Sequence, residues 1–135
     1  MKPSAISIAW VFAASFYAAA AIGFIPNPLL SPHGLFVANS AHNIVHLLTA
    51  VGFTVVALLG ETASTRFMQA FGVAYLLTGA IGLVMLGSRA EGDLLHLIHI
   101  NWLDNYLHLG LGIAIGLAGW FSRRRTNRPM VASQT

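Results

Sequence analysis

Cysteine is missing from all 135 residues, so neither a disulfide nor a thiolate metal site can form. Charge is nearly missing too: 8% of residues are Asp, Glu, Lys or Arg, against about 25% in an ordinary soluble domain. Too few polar side chains remain to cover a globule in water. No platform of interleaved aromatic and basic residues is present, which argues against nucleic acid as a partner. No nucleophile elbow, phosphate loop, HExxH or dinucleotide fingerprint occurs, and the sequence leans away from an enzyme. What is there is oil. The chain is 56% hydrophobic, and its mean hydropathy is +0.72. The bilayer is the expected solvent for much of its surface, and the expected location is a membrane.

A spanning helix needs about 20 mostly apolar residues. Four stretches meet that length, at about 5–24, 39–59, 66–86 and 101–121. Their runs do not alternate, so barrel strands are excluded, and helices satisfy their own backbone in lipid. The sequence therefore predicts an all-α, integral membrane four-helix bundle in one domain over 1–125, with a flexible tail over 126–135. Lys2, Arg66, Arg123, Arg124, Arg125 and Arg128 fall on one side of this arrangement and Arg89 on the other. The positive-inside rule then places both termini in the cytoplasm, where the arginine tail suits anionic headgroups. The first span has an alternative reading as a cleaved signal peptide, since Lys2 precedes it and "AAAA" lies within it. Its length and its echo later in the chain favour retention.

That echo is an internal repeat. "NSAHNIVHL" from Asn39 matches "NWLDNYLHL" from Asn101 at an offset of 62, and "AIGF" from Ala21 matches "AIGL" from Ala80 at an offset of 59. Two tandem helical hairpins follow, in a parallel repeat about an axis along the membrane normal. Asn39, His42, Asn43 and His46 stand at i, i+3, i+4 and i+7, as do Asn101, Asp104, Asn105 and His108. Each quartet thus occupies one helix face. A polar stripe is costly against lipid and is expected to turn inward.

The stretches "GFIPNPLLSPHGLFVANSAHNIVHLLTA" and "INWLDNYLHLGLGI" resemble those of a bacterial four-helix membrane family, catalogued as domain of unknown function 4383. The resemblance covers nearly everything from Ala5 to Phe121. It implies four spans and a multi-pass location in a bacterial inner (cytoplasmic) membrane, and it implies no activity. Where the family often carries a glycine after "HLLT", this chain has Ala50.

Two readings of the quartets compete. In the first, they are a buried hydrogen-bond clamp in a structural or accessory protein. Asn39 and Asn101 then serve as helix N-caps, Asp104 is favoured by the helix dipole, and no cofactor is needed. In the second, His42, His46, Asp104 and His108 form a nitrogen and oxygen shell for zinc, iron or copper(II), as bundles build metal sites from facing helices. A b-type haem between His46 and His108 is a variant of that reading. A proton, solute or quinone path is a further class, and a transporter of this size would require oligomers.

The stretch "GDLLHLIHINW" adds Asp93, His96 and His99 as auxiliary candidates. If helical, it would pair His96 and His99 on one face. An interfacial segment anchored by Trp102 is the favoured reading. His33 reads as a solvated loop residue. Gly112 and Gly116 make a small-xxx-small pair in a glycine-rich fourth span, open to a neighbour within the bundle, to a second copy of the chain or to a membrane-complex partner.

Overall fold

The few polar or glycine-containing breaks in the apolar runs are where the helices end. A computed structural model describes residues 3–87 and 89–126, with side chains up to Ser122. Thr126 ends α4, whereas Lys2, residues 127–135 of the expected tail and the side chains of Arg123, Arg124 and Arg125 lie outside the described residues, so most of the charge asymmetry does too. Four helices carry the fold: α1 (Ala5–Gly23), α2 (Ser40–Leu59), α3 (Glu61–Leu86) and α4 (Trp102–Thr126). Ser4 caps α1 by accepting the Ser7 N–H at 3.1 Å.

Among the described residues, α1, α2 and α3 are long and apolar enough to cross a membrane. That points to a membrane protein. The fourth helix is of similar length, but it opens on Asp104, Asn105 and His108 and carries four glycines, which dilute its hydropathy.

Two boundaries differ from the sequence expectation. The third helix starts at Glu61 rather than near Arg66. Only Gly60, at φ +104°, interrupts the chain between α2 and α3. The residues Glu61 to Thr65, which look like a loop by composition, instead form the first turns of α3. Ser64 donates its hydroxyl hydrogen back to the Val56 carbonyl at 2.9 Å, a carbonyl that also accepts the Gly60 N–H, and so ties the start of α3 to the last turn of α2. The second difference concerns the connection from α3 to α4. It is neither helical nor a plain interfacial coil. Strands β3 (Glu91–Leu94) and β4 (Ile98–Asn101) form an antiparallel hairpin. The connection from α1 to α2 holds two short parallel strands, β1 (Leu30–Ser31) and β2 (Phe36–Val37).

Packing is tightest between α3 and α4, then between α1 and α2. The reason is the supply of small residues. A Cβ placed on Gly72 would lie 2.6 Å from the Gly116 Cα, and one on Gly112 would lie 2.7 Å from the Leu76 nitrogen. Here the two backbones touch. Gly112, Gly116 and Gly119 all have atoms of α3 as their nearest neighbours, whereas Gly110 faces open space. Three of the four α4 glycines are therefore used for the close approach to α3.

The buried residues of α1 are Ala5, Ala9, Ala13, Phe16 and Ala20. Residues 59 positions later in α3 are buried as well: Ser64, Met68, Gly72, Tyr75 and Gly79. Between the helices an aromatic core runs from Phe12 and Phe16 through Phe53 to Phe67 and Phe71, with ring centroids 4.9–5.8 Å apart.

Candidate functional site

Each quartet occupies the first two turns of a helix at the loop end of the bundle. Asn39 is the N-cap of α2, where its Oδ1 accepts the His42 N–H at 3.0 Å. Asn101 does the same for α4, accepting the Asp104 N–H at 3.0 Å. Asp104 returns the bond, its Oδ2 accepting the Asn101 N–H at 2.8 Å. This reciprocal pair is a capping box. His42 holds the matching place in α2 but has no carboxylate to offer. Its Nδ1–H instead points at the carbonyls of Val37 and His99, each 3.3 Å away. A carbonyl only accepts, so that nitrogen carries the proton.

The two ends are tied across the bundle. The amide of Asn39 donates to the Leu97 carbonyl at 2.9 Å, and the amide of Asn101 donates to the Leu35 carbonyl at 2.9 Å. The Asp104 carboxylate also accepts the Val37 N–H at 3.1 Å, while His42 reaches the His99 carbonyl. Leu35 and Leu97 are 62 positions apart, as are Val37 and His99. The quartets therefore engage each other's loops at matching positions. Where His42 donates to a carbonyl, Asp104 accepts from an N–H. Two N–H groups and the N-terminal dipole of α4 balance a carboxylate that is only 2% exposed.

Deeper by one turn, Asn43 and Asn105 pack against α1 and α3. Asn43 donates to the Gly23 carbonyl at 2.6 Å, and its Oδ1 is the atom nearest to the place a Gly23 Cβ would take. The Asn105 Oδ1 stands in the same relation to Gly82. Both contacts bring an amide oxygen against a glycine Cα–H, a weak hydrogen bond at close helix approaches. Neither of these oxygens has a conventional partner among the described residues, and the Asn105 Nδ2 has none either.

The imidazoles cluster on the bundle axis. The His42 ring lies 4.7 Å from His46 and 5.9 Å from His108. Phe16 closes on His46 at 5.9 Å and Tyr75 on His108 at 5.0 Å. The His108 Nδ1–H donates to the carbonyl of Asp104 in its own helix at 2.5 Å. The Nδ1 of His46 has no protein partner among the described residues.

Among the described residues, no group of three or more His, Asp or Glu side chains is placed to hold one metal ion. Asp104 is turned to backbone donors and His108 is held against its own helix. The His42 ring contacts both His46 and His108, with Phe16 and Tyr75 on the outer sides of those two rings.

The auxiliary candidates separate. Asp93 and His99 face each other across the β3–β4 hairpin, with Oδ1 and Nδ1 at 2.7 Å. His96 lies at the exposed hairpin turn and joins neither His99 nor the quartets. His33 lines a cleft of about 450 Å³ with Gly23, Pro26, Ser40 and Asn43.

The residues missing from the sequence expectation are Phe16, Tyr75, Gly23 and Gly82, along with the loop carbonyls. A signal for them existed. Phe16 and Tyr75, like Gly23 and Gly82, share the 59-residue offset of "AIGF" and "AIGL". Searches of curated proteins and of solved structures return no significant match. A family model does match, over residues 7–121, and the chain belongs to that family, described as a domain of unknown function (DUF4383).

Proposed function

We propose that the protein is a four-span integral membrane protein built from two tandem hairpins. In this reading both termini are cytoplasmic, and the Asn/His/Asp quartets are a hydrogen-bond clamp that closes the outer end. Its role is structural or accessory rather than catalytic. The observation that carries this is the exchanged pair of bonds, Asn39 to Leu97 and Asn101 to Leu35, each at 2.9 Å. Each half holds the other half's loop over its own helix start. The equal spacing of donors and acceptors and the 59-residue recurrence of buried positions support the repeat. Polar groups at this depth stabilise a bundle when they bond across helices, by about 0.6 kcal/mol on average and at most about 2.

A second reading, a transition-metal site, is supported by the three imidazoles in ring contact and by the unpartnered His46 Nδ1. One preparation tests both. The protein is purified in mild detergent, its metal content is measured, and unfolding is followed for the parent, Asn39→Ala, Asn101→Ala and His46→Ala. The clamp predicts lower stability for both asparagine variants and less than stoichiometric metal. Unchanged stability in both asparagine variants overturns the clamp. One metal per chain, lost in His46→Ala, establishes the second reading instead.

A further inference from the structure

The tip of the β3–β4 hairpin breaks two local rules together. Leu95 and His96, the central residues of the Leu94–Leu97 turn, both have positive φ, at 56° and 58°. Such turns are ordinarily made with Asn and Gly, because a branched side chain is strained there. Leu95 is also 75% exposed, and Leu97 beside it 62%. Strain at an exposed apolar tip has no packing explanation within the bundle, since the inward face of the hairpin is supplied by Leu94 and Ile100. The water-facing side is polar and occupied by Glu91, Asp93 and His99. The tip leucines belong to neither side.

Their location says what meets them. The Leu97 carbonyl is held by the Asn39 amide, which fixes the tip at the level of the first turn of α2. From that level inward, α2 exposes Ile44, Leu47 and Leu48. The tip thus sits at the end of α2 from which the apolar surface of a spanning helix begins.

We propose that Leu95 and Leu97 form a membrane-anchoring finger, inserted into the headgroup and upper acyl region of the outer leaflet beside α2. This rests on the spanning reading of the helices. It gives the hairpin a job distinct from capping the bundle: one face seals the polar quartets, and the tip pins that seal to the bilayer. Burial of two leucines in the interface offsets the turn strain, as apolar insertion does for interfacial segments.

The cysteine-free chain makes the test direct. Single variants Leu95→Cys, Glu91→Cys and Val51→Cys of the full chain are labelled with an environment-sensitive nitrobenzoxadiazole probe. They are reconstituted into phosphatidylcholine vesicles containing lipids spin-labelled at shallow or deep positions. The Leu95 probe should emit to the blue of the Glu91 probe, and the shallow label should quench it about twofold more strongly. The Val51 probe, on the exposed face of α2, should be quenched by the deep label. If the Leu95 probe matches the water-exposed Glu91 probe while Val51 is quenched, the finger is wrong and the spanning helices stand. That is also the result expected if a protein partner, absent from the vesicles, is what covers the tip. If Val51 escapes the deep label, the spanning reading falls, and the finger with it.

Discussion

Gly72→Ala is the sharpest perturbation the packing offers. The new methyl group would sit 2.6 Å from both the Cα and the nitrogen of Gly116, and 2.9 Å from the Gly112 carbonyl oxygen. Non-bonded carbon atoms settle at about 3.5–4.0 Å, so α3 and α4 must separate by about 1 Å at this level. All three obstacles are backbone atoms, and no rotamer change relieves them. Overpacking of this kind costs about 1–3 kcal/mol.

Gly116→Ala gives the contrast. Its methyl group would meet the Gly72 Cα at 3.9 Å, an ordinary contact, and a Gly110 methyl would meet nothing. A small-xxx-small reading of Gly112 and Gly116 treats the two alike; the geometry does not. Equilibrium unfolding in mixed micelles, followed by circular dichroism, should place Gly72→Ala about 1–3 kcal/mol below the parent. Gly110→Ala and Gly116→Ala should stay within about 0.5 kcal/mol of it. If Gly72→Ala matches Gly110→Ala in stability, the backbone contact between α3 and α4 is not as described, and the packing account fails with it.

Three other outcomes are expected. Asp104→Ala strands the N–H groups of Val37 and Asn101 and should lower unfolding stability by about 2–4 kcal/mol; Asp104→Asn keeps one acceptor oxygen and should lose less in the same titration. Glu61 accepts the Ala5 N–H at 2.8 Å, so Glu61→Ala removes a cap from α1 and should reduce stability by about 1 kcal/mol, with Glu61→Gln restoring part of it. Replacing Leu95 by Asn and His96 by Gly relieves two left-handed residues and should raise stability in detergent by about 1–2 kcal/mol, readable as a higher unfolding midpoint.

The long apolar runs, the four helices and the family were legible from the residues alone, because hydrophobic length and a duplicated motif need no coordinates. The i, i+3, i+4, i+7 spacing likewise picked out Asn43, Asp104 and Asn105, which the structure buries almost completely. Helical periodicity projects those positions onto one face whatever the helix packs against. The partners of Asp104 show the limit of that logic. Spacing along one helix says that His42 and His46 can be neighbours. It cannot say that Asp104 will turn to the Val37 and Asn101 N–H groups, because those donors are brought up by a loop 67 residues away and by the helix's own cap.

The hairpin was hidden for a similar reason. Residues 93–99 carry leucines and histidines that suit a helix or an interfacial coil, and only pairing with a second strand makes them β. Glu61 looked like turn material until α1 arrived to be capped. Composition and periodicity thus determined which surfaces must avoid water and which positions must face inward. Tertiary structure alone decided which hydrogen-bond partners those positions meet, since a hydrogen bond is short-ranged and the donors and acceptors come from segments far away in sequence.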